Sequence, residues 1–413
     1  MLVLLAASLA GATHAAASAV PSAGAGPPAV AAPAGGDDEI PGVDPYTRGD
    51  PDALAEAGYV SFGPFAFGDG ATTDDVQDAV GTTRVLWVET AHFRIGSTLE
   101  EYRVGPGERE RLRDELVALA RRVPRVKPTT RTLDPWLRLH LLAARLEALY
   151  AELCARLGVT DASFPSGPGA LVDGRYMGEG PYLGQAGKYL VLHCERSSDL
   201  GRYQRAHVGF AEDLPKRYTF RASGSLYFGT AVELSDGPWR EDLPQHCMLV
   251  ANVTHNLVAG FKSYVHALPV WFEEGIAHWT SRRVDPHWST FPAGLAGRHP
   301  GLDEWDWEPK LRGRVRFDAY PDYAAMSAWR TPDGLSAVDH MFAWSRVDHL
   351  MSREGDGLAV FLGIYKAPLD PHRPVEEARA EAERNALRAA WDLDGPAFDA
   401  AWHAWVLDEY RKR

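Results

Sequence analysis

The sequence predicts an α+β fold, with a small N-terminal strand layer followed by a helical C-terminal lobe. Three observations carry that prediction. Short runs rich in β-branched and aromatic residues, at 84–95, 188–194 and 226–233, all fall before residue 240. Long stretches with helical periodicity dominate the second half. The order is strands first and helices after, which is the pattern of an α+β chain.

Taken in order, the chain opens with Met1–Gly11, MLVLLAASLAG, an apolar core too short to span a membrane. Small residues follow, and Ala15–Ala16–Ala17 gives an A-x-A-like cleavage site. Residues 1–17 are therefore read as a signal peptide, atypical because no positive charge precedes its core. Ala12 stands where a lipoprotein would carry its lipidated cysteine. The expected location is secreted or periplasmic, in a bacterium with GC-rich DNA. Residues 18–47, rich in Ala, Pro and Gly, read as a linker ending in the acidic turn Asp37–Asp38–Glu39.

An N-terminal α+β lobe is expected over 48–240. Arg84–Ile95 reads as one strand, Lys188–Cys194 as a second and Leu226–Glu233 as a third. Glu108–Arg122 has helical periodicity with a mixed-charge face. Pro135–Leu157 is a long helix with Leu139, Leu142, Leu146, Leu149 and Leu153 on one apolar stripe, stopped by Gly158. A helical lobe is expected over 241–413. One helix starts near Pro244, compatible with a first-turn proline, and runs to about Tyr264. A second spans Val270–Arg283. Asp285–Pro332, rich in proline and tryptophan, reads as irregular. Helices follow over 337–353, 357–365, 374–391 and from Pro396 to the end.

Composition narrows the function. Of the 413 residues, 45% are hydrophobic and 24% charged, an ordinary globular balance. The net charge of −13 argues against general affinity for nucleic acid or anionic lipid. No later segment is apolar and long enough to be an integral membrane span. The three cysteines, Cys154, Cys194 and Cys247, form no CxxC pair and are expected to be buried apolar residues. The adjacent Glu273 and Glu274 do not present two carboxylates across a sugar. Ser223–Gly224–Ser225 lacks the G-x-S-x-G nucleophile elbow. Trp344, Trp402 and Trp405 lie on helices and are expected in the core or along a groove. Asn252–Val253–Thr254 fits a glycosylation sequon, but a mid-helix position makes it a poor acceptor.

Two stretches carry the chemistry: LVANVTHNLVAGF from Leu249 and LPVWFEEGIAHWTSRR from Leu268. Together they resemble the bacterial peptidase-MA-like group of gluzincins, zinc metallopeptidases of the zincin fold. ETAHFRI at 89–95, Ala343–Trp344–Ser345 and the final AFDAAWHAWV add weaker likeness. In that family one helix carries HExxH, whose two histidines bind zinc while its Glu activates the bound water. A later helix brings a third ligand, a Glu. The resemblance implies that His255 is the second histidine and Glu274 the third ligand, in Pro269–Val270–Trp271–Phe272–Glu273–Glu274–Gly275–Ile276–Ala277. It puts Ala251 where the first histidine belongs and Asn252 in the general-base position.

His278, one helical turn after Glu274, faces the same side of its helix. A compensated metal site of His255, Glu274 and His278, with zinc as its cofactor, is therefore one expectation. His246 lies on roughly the opposite face of the helix that carries His255, and Glu273 is expected to point away from the Glu274 face. On the residues alone, His255 is equally a hydrogen-bonded core histidine, Glu274 a helix N-terminal carboxylate, and His278 a structural residue. Three functions stay open: a catalytically impaired peptidase homologue that binds a peptide or protein in its remnant cleft, an active zinc hydrolase with a rearranged site, and a non-catalytic envelope protein.

Overall fold

In the computed structural model, residues 43–210, 212–234, 240–263, 266–289 and 306–411 are described. The expected signal peptide and all but the last five residues of the expected linker lie outside them. Those last five belong to the folded body. Asp44 is buried, its Oδ1 lies 3.1 Å from His140 Nε2, and Thr47 donates from its backbone N–H to Asp44 Oδ2 at 3.0 Å.

The strands are β1 (Tyr59–Ser61), β2 (Leu86–Thr90), β3 (Phe93–Ser97), β4 (Tyr102–Arg103), β5 (Thr132–Leu133), β6 (Tyr189–Cys194), β7 (Lys216–Phe220) and β8 (Ser225–Ala231). Strands β4 and β5 form a separate two-stranded ribbon. The others make one six-stranded sheet in the order β1-β2-β3-β6-β8-β7. β3, β6 and β8 run parallel, with Ile95 opposite Val191 and Val191 opposite Phe228. The outer pairs β1–β2, β2–β3 and β7–β8 are antiparallel.

The run YLVLHC shows why β6 is central. Successive side chains leave a strand on opposite faces, so an unbroken apolar run is needed only where both faces are covered. Tyr189 and Val191 enter the larger core, while Leu190 and Leu192 enter a second core on the other face. That second core is closed by α2 (Thr73–Val80) through Val76 and Val80, and by α5 (Ser197–Tyr203) through Leu200 and Tyr203. The larger core is closed by α4 (Pro135–Leu157) and α6 (Asp242–Gly260). The sheet is thus the middle layer, with α1 (Pro51–Ala57) and α3 (Arg109–Ala120) completing the first half.

α4 has the predicted limits. Asp134 caps it by accepting from the Leu137 N–H, Pro135 opens it, and Gly158 leaves it with φ of 62°. The five leucines of the predicted stripe are all buried. The start of α6 is locked beneath α3 and α4 by charge. Asp242 receives Arg145 at 2.6 Å and Arg111 at 2.7 Å, and Arg145 also donates to Glu115 at 2.7 Å.

Two expectations need correction. Arg84–Ile95 is not one strand but the first part of the β2–β3 hairpin. Its turn is fixed from a distance: Glu147 of α4 accepts from the His92 N–H at 3.0 Å, and the His92 ring stacks 3.7 Å from that of Tyr150. The stretch expected to be irregular contains α8 (Trp307–Val315) and α9 (Tyr323–Ser327). The rest of the second half matches its reading: α7 (Val270–Val284), α10 (Ala337–Met351), α11 (Gly357–Tyr365), α12 (Val375–Trp391) and α13 (Gly395–Glu409). All three cysteines are free and buried. Trp344 and Trp402 are buried, and Trp405 packs half-buried against the core. Among the described residues, no helix is long and apolar enough to cross a membrane.

Candidate metal centre

Three helices build the site. The first, α6, is buried along most of its length and passes under the sheet beside β8. Gly260 permits its last turn, because a Cβ there would lie 2.4 Å from the Tyr189 hydroxyl oxygen. Its terminal carbonyls are satisfied by buried donors: Lys366 Nζ bonds Ala259 O at 2.8 Å and Gln185 Nε2 bonds Gly260 O at 2.7 Å. The second, α7, starts after Pro269 and carries Glu273 and Glu274 in its first turns, where a carboxylate is favoured by the helix dipole. Ser281 Oγ ties it to α6 by donating to Cys247 O at 3.0 Å.

The third, α10, begins at a capping box in which Ser336 and Asp339 satisfy each other's backbone N–H groups. His340 follows directly, on the first turn. α10 can lie against α7 because position 275 is glycine. A Cβ there would sit 2.4 Å from Ala343 O and 2.5 Å from a Val347 methyl. This close approach delivers His340 to Glu274 and His278.

The result is a buried group of Glu274, His278 and His340, with one ligand atom from each lying within 4.8 Å of the others. Such a group could hold a metal ion. His278 Nε2 is 3.1 Å from His340 Nδ1, and His340 Nδ1 is 3.3 Å from Glu274 Oε2. Donors bound at 2.0–2.1 Å around a tetrahedral zinc stand about 3.3 Å apart, so these separations suit such an ion. His255 meets the other oxygen of the same carboxylate, with Nε2 3.6 Å from Glu274 Oε1. The predicted set is thus brought together only in part. Glu274 and His278 join His340, while His255 stands next to them as a neighbour of Glu274.

Electrostatics fits this arrangement. Burial raises the Glu274 carboxyl, but His255 and His340 outweigh it and hold the group well below the usual carboxylate range. Burial and the neighbouring His340 push His278 well below its ordinary value, favouring the neutral imidazole that ligates metals. An edge-on contact with Trp307, ring centroids 5.2 Å apart, closes the other side of His278.

Asn252, in the expected general-base position, turns back on its own helix and donates from Nδ2 to Met248 O at 3.0 Å. Ala251 is buried. No acidic side chain from α6 replaces the missing base. Glu273, expected to point away, does not: its Oε1 lies 3.2 Å from His255 Nδ1. The reason is that His255 projects from α6 between the two consecutive glutamates, so each reaches a different ring nitrogen. His246 lies instead near the Asp242–Arg145 lock, as its helical phase implied, and is pushed well down by burial and by Arg145.

Glu273 also lines a cavity of about 790 Å³ between the start of α7, α9, the end of α11, α12 and the start of α13. Glu274, His278 and His340 do not line it, so the cavity meets the cluster only through Glu273 and its contact with His255. His340 is the member that the sequence reading missed. Its local signal, a histidine just after a capping box, does not name the helix it will meet. No family model, curated protein or solved structure matches the chain, so what this centre does is argued from its own residues.

Proposed function

We propose that this chain is a divalent-metal-binding protein of the zinc-peptidase type, with its centre rebuilt from Glu274, His278 and His340, and that it holds a peptide or protein segment beside that centre. One observation supports this most: a carboxylate and two imidazoles from two separate helices converge in the interior. The interior does not gather such groups without compensation. Two imidazoles and a carboxylate suit zinc, which when bound supplies a Lewis acid and acidifies a coordinated water. The export reading of residues 1–17, and with it a secreted or periplasmic location, belongs to the same proposal.

The protein's own residues divide the work. Glu274 places one oxygen toward His340 and the other toward His255, so its orientation is fixed from both sides. Asn252 has no proton-accepting carboxylate and is engaged with its helix, which favours binding over efficient peptide hydrolysis. Elemental analysis of the purified full-length protein tests the centre. About one zinc per chain is expected. His278→Ala and His340→Ala should each lose it, while His255→Ala retains most of it. A zinc-free wild-type protein at micromolar zinc supply would refute the centre.

A second reading has one observation in its favour. Glu273 touches His255 and also lines the cavity, so the two form an acid–base pair at the border of the ligand space. On this reading the protein hydrolyses peptides slowly. Glu273→Gln then lowers the turnover of a quenched fluorescent peptide library by about 10²-fold or more, the usual scale of general acid–base catalysis, with zinc content unchanged. Turnover that survives Glu273→Gln would exclude the pair as the catalyst.

A further inference from the structure

The cavity beside Glu273 has a wall of unusual composition. α12 presents one stripe to it, with Glu376, Arg379, Glu383 and Leu387 at helical spacing, and Arg384 and Arg388 flank that stripe. Arg330, which follows α9 in the chain, also lines it. Among the described residues, none of these four guanidinium groups hydrogen-bonds or forms an ion pair, although Arg379 Nε is shielded from solvent. The lining carboxylates are largely occupied elsewhere. Asp394 caps α13 by accepting from the Ala397 N–H, and Glu273 touches His255.

Glu383 holds the wall rigid. It is 6% exposed, and its Oε1 accepts from Trp271 Nε1 at 2.8 Å, from the Tyr323 hydroxyl at 2.8 Å and from Ser327 Oγ at 2.7 Å. Those three bonds join α12 to α7 and α9. Tyr323, Tyr365 and Trp329 add aromatic surface to the same space. A cavity of this size with fixed aromatic walls and unpaired arginines is a binding site for an anion attached to an apolar or polypeptide body. Because Glu273 and Glu376 also line it, a doubly charged group would meet repulsion. A single carboxylate fits better.

We propose that this cavity is the recognition pocket for an acidic peptide segment, whose carboxylate sits among Arg330, Arg379 and Arg384. The word peptide rests on the function proposed above; the charge preference rests on the cavity alone. The carboxylate comes either from an acidic side chain or from the chain's C-terminus, and one experiment separates the two.

Fluorescence anisotropy on the full-length protein uses a fluorescein-labelled hexapeptide with one central glutamate. It is compared with its glutamine and lysine counterparts, each made as the free acid and as the C-terminal amide. The glutamate peptide should bind at least about tenfold more tightly than the lysine one. Equal binding of its acid and amide assigns the side chain. Equal binding of the glutamate and glutamine free acids, with loss on amidation, assigns the C-terminus. Arg379→Ala combined with Arg384→Ala should weaken the preferred peptide by about tenfold or more. Arg384→Glu, on an exposed position of the helix, should shift preference toward the lysine peptide. A glutamine amide that binds as well as the glutamate free acid, or unchanged affinity in both arginine variants, would overturn the proposal. Acidic-peptide binding by a protein that carries no zinc would sink the metal centre and leave the pocket standing. Zinc retained with no charge preference would do the reverse.

Discussion

Gly275→Val should drive α7 away from α10 and take the metal centre apart. The added Cβ would meet the Ala343 carbonyl oxygen at 2.4 Å and a Val347 methyl at 2.5 Å. One of those contacts is backbone, which cannot rotate out of the way as a side chain can. Overpacking a core of this kind costs about 1–3 kcal/mol, and the backbone clash places valine at or above the upper end. The site suffers more than the fold. Glu274 and His278 lie on α7, and His340 lies one turn before Ala343 on α10. A shift of either helix by the width of a methyl group exceeds the tolerance of metal–ligand distances. Urea unfolding should show the lost stability, and elemental analysis should show metal lost beyond what the stability change explains. Gly275→Ala should give a smaller version of both effects. Wild-type stability with full metal content in the valine protein would mean that the helices do not approach so closely.

Asp242→Asn should cost about 3–5 kcal/mol at neutral pH, the usual penalty for leaving buried charge uncompensated. Arg145 and Arg111 both donate to this carboxylate, and the amide that replaces it cannot neutralise either one. The loss should depend on pH in a defined direction. Burial raises the Asp242 carboxyl, but Arg145 and then Arg111 prevail and hold it well below its unfolded value of 3.8. The stabilisation is therefore complete above that value and is lost as pH falls toward the folded pKa. The wild-type and Asp242→Asn unfolding free energies should differ most near neutrality and converge as the solution is acidified below about pH 4. A gap that stays constant across that range would show that the carboxylate is not coupled to its arginines.

The sequence made some of this plain and hid the rest for identifiable reasons. α4 and α7 were legible because their signals are local: Asp134–Pro135 opens one, Gly158 closes it, and Pro269 opens the other. The β2–β3 turn was not legible, because the group that fixes it, Glu147, lies more than fifty residues away in the chain. α8 was masked by Pro309 and its polar neighbours, although Trp307, Leu311 and Val315 form a buried stripe one turn apart. Within the site, Glu274 and His278 could be paired by helical spacing alone. His340 could not, because what selects it is the approach of α10 to Gly275. α10 is also buried nearly all round, so no amphipathic face pointed to one of its side chains. Glu273 was misjudged for a related reason. Helical phase gives the direction in which a residue leaves its helix, and His255 arrives from another helix to fill the gap between neighbouring directions.

The three cysteines bear on where such a protein can work. None is paired, and each is enclosed by the core. Burial pushes the thiol of Cys154 up to about 11 and those of Cys194 and Cys247 up to about 12. The reactive species in oxidation and exchange is the thiolate, which is scarce at neutral pH in such surroundings. Stability here is drawn from packing and from the Asp242 lock rather than from covalent bridges. The folded chain accordingly has no disulfide to lose and little thiolate to oxidise when the redox poise around it changes.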